Sequence, residues 1–500
     1  MLKSCLIMDM PITLSGESKQ PLYRQLCDAL REAIVQGRLR PGEALPSSRA
    51  LANMLELSRV TVVRSYEELM CQGYIEAMHG TGTCVSRHLS LSDRSDPVKP
   101  AESAMDRSKH FSTFARYLLS AEPTEFNETV IPELNYGAVP HDLLPLKDWR
   151  NLYSRHARAE ESAHLIYETD PFGYPPLREA LAGYLKRSRA IACHPDQVVL
   201  FTTAQHTLNV TARILVESES TVALESSGYC DARQAFLAQK ARLHPVPVDQ
   251  EGIIVDELID SQSSFRLVFV SPVHHSPSGA CLSQARRESL LDWARKTDTV
   301  IIEDDHGHEY RYFGKPVAAL KELDRDDLVI TFGSFTNTLF PLTSLHYLVI
   351  PKWLVPVYRR AKILSQRTFS IIEQYVLADL IESGLYERHI QKTRQVYAKR
   401  RRALIAGLKR SLGDRITIAE PRTGTCLPVK LQVDHSEEEL LDLAKQAGLP
   451  MCSTKSFYLH RDESREDASE FLVAFGHLSE EELEQSALRF SESLEVVSES

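Results

Sequence analysis

Five hundred residues exceed the ~100–200 typical of one domain, so two or three domains are expected. At 43% apolar and 25% charged residues the chain has ample core material, which excludes fibrous, collagenous and wholly disordered classes. A net charge of −10 argues against a protein that coats nucleic acid over its whole surface, but the charge is uneven. Residues 11–88 hold nine Arg/Lys, eight of them arginine, against eight Asp/Glu, a net of +1. No apolar run approaches the ~20 residues needed to cross a bilayer. MLKSCLIMDM, broken by Asp9, is too short for a secretory signal. Nine dispersed cysteines without a CxxC spacing read as reduced thiols, so a cytoplasmic protein is expected.

From Pro21 onward Leu22, Leu26, Leu30 and Ile34 recur every four residues and Gly37 stops the pattern, which predicts an amphipathic helix. Ser47-Ser48-Arg49 starts a short helix through Leu55. Ser58 opens a third, with Val62, Val63, Tyr66, Leu69 and Met70 on its buried face and Arg59, Val60, Thr61, Arg64 and Ser65 on the other. After Gly73, Tyr74–Ala77 and Cys84-Val85 flank His79-Gly80-Thr81-Gly82-Thr83, a hairpin with a glycine-bearing turn.

Three helices and a hairpin make a winged helix-turn-helix, whose third helix fits the major groove with its N-terminal residues at base edges. The predicted DNA-reading residues are Ser48, Arg49, Ser58, Arg59, Val60, Thr61 and Arg64, with His79, Gly80 and Thr81 on the wing. A small arginine-rich module on an acidic body fits double-stranded operator DNA bound at one end of the molecule.

Residues 89–110 hold five Ser, eight charged residues and two Pro without periodicity, the texture of a flexible linker. The expected division is a winged helix over 14–88, a linker over 89–127 and an effector and dimerisation domain over 128–495. In the last, apolar runs at 198–202, 221–224, 267–270, 299–302, 328–332 and 345–350 alternate with helical stretches. That pattern predicts a largely parallel α/β sheet buried on both faces. Long helices follow from about Trp353, then a small α+β segment with strands near 424–432 and 470–475. Arg401-Arg402, within KRRRALIAGLKR, reads as the solvated face of a long helix.

The segment from PLYRQLCDAL to GTGTCV resembles a winged helix of the GntR superfamily. YETDPFGYPPLREALAGYL, ESSGYCDAR, SPVHHSPSG, IIEDDHGHEYRY, GSFTNTLFP and FGHLSEEELEQ resemble fold-type I aminotransferases, the pyridoxal-phosphate (PLP) enzymes. Together they resemble the MocR subfamily of GntR regulators. The resemblance implies a transcription regulator that reads an operator, forms a domain-swapped homodimer and senses a small molecule through its aminotransferase-like domain.

It also implies roles for residues, several of which depart from the family pattern. Asn337 stands where the Schiff-base lysine is expected, and an amide is not nucleophilic. Ser344 replaces the phosphate arginine, Leu472 the substrate-carboxylate arginine, and His306 the tyrosine that meets the ring hydroxyl. Retained are Asp304 for a pyridinium nitrogen, Tyr229 for stacking, Tyr167 for a partner's phosphate, and the helix start Thr203-Ala204-Gln205. Ser334 and His275 complete the expected pocket. The expectation is a regulator without transaminase activity or covalent PLP, with non-covalent PLP and an active fused aminotransferase as alternatives. The acidic, histidine-rich run 303–309, with His274 and His275, reads as a polar strand end with no metal site.

Overall fold

The computed structural model describes residues 2–7, 10–15, 18–78, 82–87, 112, 114–115, 139–158, 170–459 and 469–498. Of the predicted site residues, His79, Gly80, Thr81 and Tyr167 lie outside these, as does nearly all of the linker. The chain divides into two compact units, Met1–Phe111 and Ser112–Ser500.

The first unit is built on α1 (Leu22–Val35), α2 (Ser48–Met54) and α3 (Arg59–Cys71). The four-residue period of α1 buries Leu26, Leu30 and Ile34 against Leu51, Val62, Tyr66 and Leu69. Each such side chain contributes about 1.5–3 kcal/mol. Ser47 caps α2 by accepting from the Ala50 amide, and Ser58 caps α3 by accepting from the Thr61 amide at 3.1 Å. The wing pairs β3 (Ile75–Met78) with β4 (Gly82–Val85). A further hairpin precedes α1: β1 (Leu2–Ile7) runs antiparallel to β2 (Met10–Ser15), and Ile12 and Leu14 join the same core. One sequence expectation fails here. Ser65 is fully buried, because α1 crosses α3 at that point and the Ser65 hydroxyl donates to the Tyr23 carbonyl at 2.8 Å.

The second unit opens with α4 (Leu146–His156) and α5 (Pro175–Arg189). A seven-stranded sheet follows, made of β5 (Val198–Phe201), β6 (Thr221–Glu225), β7 (Arg242–Val246), β10 (Phe265–Val270), β11 (Val300–Asp304), β12 (Val329–Ser334) and β13 (His346–Val349). Short β8 (Val248–Asp249) and β9 (Gly252–Ile253) form a separate hairpin. The sheet order is β5-β13-β12-β11-β10-β6-β7, parallel except for β13, which runs against both neighbours. Alternation sorts β5 onto two cores: Val199 and Phe201 face one, Val198 and Leu200 the other. Helices α6 (Ala204–Leu215), α7 (Cys230–Ala238) and α10 (Val355–Ser365) contribute to the first core. Helices α5 and α11 (Ile371–Glu382) contribute to the second, and α8 (Gln284–Thr297) to a third.

One-turn α9 (Thr336–Leu339) leaves β12 toward the site. The long α12 (Leu385–Leu412) leads to a small antiparallel sheet of β14 (Ile416–Ile418), β15 (Cys426–Leu431), β17 (Ser469–Ala474) and β16 (Met451–Ser453). Helices α13 (Glu437–Ala447) and α14 (Glu480–Ser498) complete this smaller layer. Arg402 is solvated as expected, but Arg401 is buried. Its guanidinium lies 5.7 Å from the Tyr312 ring and 5.4 Å from Phe313, and pairs with Glu420 at 3.3 Å. Two aromatic faces and an anion outweigh exposure at that turn of α12.

Helix α10 also carries a fully buried cation. The Lys362 Nζ lies 4.3 Å from the Phe201 ring and 5.0 Å from Phe369, and has no hydrogen-bond partner among the described residues. Burial pushes its pKa down from 10.5 to about 7. The folded state therefore holds fewer protons than the unfolded one between these values, and stability rises with pH across that interval. Lys362→Met is expected to stabilise the protein at neutral pH by about 1–3 kcal/mol, the cost of an unsatisfied buried polar group. Urea unfolding at several pH values checks this, since the variant also loses the rise above pH 7.

Candidate functional site

The C-terminal edge of the large sheet gathers the pocket residues through strand direction. Because β13 is antiparallel, its first residue His346 stands opposite Ser334, the last of β12, and opposite Phe201, the last of β5. Asp304 ends β11, and Tyr229 precedes α7 beyond the end of β6. Ligand sites of α/β sheets lie at such strand ends. Close packing makes the arrangement possible: a Cβ on Gly333 would fall 2.3 Å from the Tyr347 ring.

Asp304 is nearly buried, with its side chain 10% exposed. Its Oδ1 accepts from the His306 backbone amide at 3.1 Å and from His306 Nδ1 at 2.9 Å. Among the described residues nothing donates to Oδ2. Burial disfavours the charged imidazole of His306, but the adjacent Asp304 carboxylate more than reverses this and raises its pKa to about 8. The His306 ring lies near Phe332 and His346, at centroid distances of 6.2 and 6.5 Å. His346 stacks on Phe332 and donates from Nδ1 to the Ser344 carbonyl at 2.8 Å. Burial and the nearby His306 push its pKa down to about 4, and burial beside His275 does the same to His274.

Asn337 sits in α9 and is half-buried; its carbonyl accepts from the Tyr310 hydroxyl at 3.2 Å. Its side chain makes no hydrogen bond among the described residues. Ser334 Oγ accepts from the Thr336 amide at 2.8 Å and also bonds the Thr336 hydroxyl. Ser344 Oγ donates to the Thr202 carbonyl at 2.9 Å. Thr203 is the N-cap of α6 and accepts from the His206 amide at 3.1 Å. Ala204 and Gln205 form the first turn of that helix, and the Gln205 amide donates to Asp231. Burial lifts the Asp231 carboxyl above the usual range.

His275, predicted to line the pocket, is buried with both ring nitrogens occupied. Nε2 donates to the Ser227 carbonyl at 2.8 Å and Nδ1 accepts from Ser278 at 2.7 Å. Leu472 is buried in β17 opposite Pro428 and Cys452. Three pocket features escaped the sequence reading: Thr336, His346 and Asp231. Asp231 lies within the motif ESSGYCDAR, where an acid two residues after the stacking tyrosine was the available signal.

In the winged helix, Arg49, Ser58, Arg59 and Val60 are exposed, Val60 at 77%. Ser48 and Thr61 are half-buried, and Thr61 Oγ1 lies 2.8 Å from the Ser58 hydroxyl. The Arg64 guanidinium rests 4.1 Å from the Tyr23 ring, which holds it beside α1.

Fold and site define a class of protein: a DNA-binding winged helix joined in one chain to an aminotransferase-fold body. Residues 22–85 match the model of the bacterial regulatory proteins of the gntR family, and residues 132–487 that of aminotransferase class I and II. The chain is 31% identical over 453 residues to the probable rhizopine catabolism regulatory protein MocR of Rhizobium meliloti, covering 90% of each chain. It is 29% identical over 399 residues to the pyridoxine biosynthesis transcriptional regulator PdxR of Corynebacterium glutamicum, covering 79% of this chain and 81% of that one. A kynurenine aminotransferase structure from Pyrococcus horikoshii superposes with a TM-score of 0.69 at 24% identity, over 79% of this chain and 98% of that one. The chain thus belongs to the MocR-type regulators of the gntR family, DNA-binding transcription regulators with an aminotransferase-like domain. Among the described residues no helix is long and apolar enough to cross a membrane.

The Asp304–His306 pair has a pH signature. With its folded pKa raised from 6.5 to about 8, His306 contributes stability that is full below pH 6.5 and is lost as pH rises through 8. His306→Asn is expected to lose about 1–2 kcal/mol at acidic pH and much less at alkaline pH. The difference in unfolding free energy between wild type and variant, measured on both sides of this window, checks it.

Proposed function

We propose that this regulator reads its operator through the N-terminal end of α3 and the wing, and that its aminotransferase-like body dimerises and senses a small molecule without covalent PLP or transamination. The observation that carries the reading is Asn337 in the first turn after β12, where imine chemistry requires an amine. PLP, the cofactor that the fold implies, does not fit this set of side chains. Ser334 and Thr336 bond one another, and Ser344 donates to a main-chain carbonyl. An Asp231 carboxylate stands at the helix start where a phosphate would need positive charge. Lys321, the buried lysine of the neighbouring segment, is paired with Asp324 at 3.3 Å and Asp327 at 3.0 Å. Absorbance titration of the full chain with PLP tests the reading: no imine band is expected, and a band would overturn it.

Operator contacts are assigned to Arg49, Arg59, Val60 and Thr61 at base edges and phosphates, with Ser48, Ser58, Arg64 and the wing residues His79, Gly80 and Thr81 supporting them. Exposure of Arg59 and Val60 at the start of α3 supports this. Arg59→Ala is expected to weaken operator binding by about 1–3 kcal/mol, and affinity should fall steeply with salt. Gel-shift titrations at several salt concentrations measure both.

Dimerisation is supported by an apolar face at α10. Trp353 (53% exposed), Val357 (42%), Ile363 (48%) and Leu364 (88%) leave large side chains in water, as interfaces do. Leu364→Glu is expected to shift sedimentation of the full chain from dimer toward monomer.

A further inference from the structure

Helix α12 carries nine Arg/Lys and a single acid, Glu387, in a chain that is acidic outside residues 11–88. Part of this charge is used by the protein itself. Arg400 is buried and donates to the Gly476 carbonyl, Arg401 and Lys409 pair with Glu420, and Arg410 pairs with Glu484. Arg388, Lys392, Lys399 and Arg402 are different: all four are exposed, and among the described residues none meets a carboxylate. Arg388 donates to the Gly384 carbonyl at 3.3 Å and Arg402 to the Ala398 carbonyl at 3.2 Å, each one turn earlier on the chain.

Their spacing puts these four cations within about 80° of one another around the helix, in a stripe ~21 Å long. The opposite face is already occupied. Tyr386, Tyr397, Leu404 and Leu408 are buried in the two cores that α12 joins. Like charges three and four residues apart weaken a helix, so an extended anion lying along the stripe would stabilise it. A lipid surface does not suit it, because a helix on a membrane buries its own apolar face, and here that face is inside the protein. Duplex DNA does, with about one phosphate charge per 1.7 Å of its axis. The winged helix of the same chain holds DNA, so even a weak second contact gains from a high effective concentration.

We infer that α12 is a second DNA-contacting element, in which Arg388, Lys392, Lys399 and Arg402 bind phosphates of the duplex flanking the operator. The inference rests on operator binding by the winged helix. Phosphate contacts add affinity without reading sequence, and they give an acidic body one face that does not repel the DNA.

Fluorescence anisotropy of the full-length protein tests this on two duplexes. Both carry the site that the protein selects from a random-sequence pool. One ends at that site, and the other extends it by about two helical turns of arbitrary sequence on each side. Wild type is expected to bind the longer duplex about tenfold more tightly at low salt, with a slope of log K against log salt steeper by about 3–4. The combined variant R388Q, K392Q, K399Q and R402Q is expected to bind the longer duplex no better than the shorter, with the shorter unaffected. The charge-retaining variant R388K, K392R, K399R and R402K is expected to keep the difference, which separates lost charge from lost fold. Equal affinity and slope of wild type on the two duplexes would overturn the inference. So would a glutamine variant that keeps the length dependence, or a charge-retaining variant that loses it. A glutamine variant that keeps the length dependence but no longer binds phosphatidylserine vesicles would assign the stripe to a membrane instead. If Arg59→Ala leaves binding of the shorter duplex unchanged, it is the reading of the winged helix that falls.

Discussion

A single buried ion pair sets the geometry on which the pocket depends. Asp305 and Arg189 meet in a bidentate contact, at 2.9 Å for Nε and 2.6 Å for the terminal nitrogen, with both side chains almost wholly removed from water. Such a pair tolerates no loss of one partner, because the other would be left charged and desolvated. It ties α5 to the end of β11, while the Asp305 amide donates to the Phe332 carbonyl on β12. Glu303, two residues earlier, accepts from the amides of Leu320 and Lys321 and from the Thr331 hydroxyl. Of three consecutive acids, two are consumed by the scaffold. Asp304 between them bonds His306 through Oδ1, and among the described residues nothing donates to its Oδ2.

From that anchor the chemistry of the pocket follows. The turn after β11 places His306 on Asp304, so the charge at the floor is internally compensated. The antiparallel course of β13 brings His346 and Ser344 level with α9 and with the start of α6. At this edge Thr203 caps α6, Ser334 bonds Thr336, Ser344 donates to the Thr202 carbonyl, and Asp231 accepts from Gln205. Asn337 removes the nucleophile at the same edge. These features lie on different elements and meet at one edge of the sheet.

The winged helix shows how local and non-local physics share one small domain. The α1 face of Leu26, Leu30 and Ile34, the caps at Ser47 and Ser58 and the stop at Gly73 are local signals, and they were legible because each element carries its own. Ser65 was not, since its burial depends on where α1 crosses α3. The hairpin before α1 was equally hidden, because Ile12 and Leu14 gain their value from a core assembled by later residues. Arg64 read as a DNA-contacting residue, and its place over the Tyr23 ring was not visible in the sequence.

The order of strands and helices, both domain types, and the absence of an amine at position 337 were determined by the sequence itself. Those features rest on periodicity, capping and residue chemistry, which act within a few positions of the chain. Tertiary structure decided which polar groups are free. His275 became a buried structural residue through Ser227 and Ser278, Arg401 left solvent for Tyr312, Phe313 and Glu420, and Lys362 was shut between two phenylalanines. It also decided that Asp231 stands at the start of α6. Hydrogen-bond partners and burial come from segments far apart in the chain, so only folding could assign them.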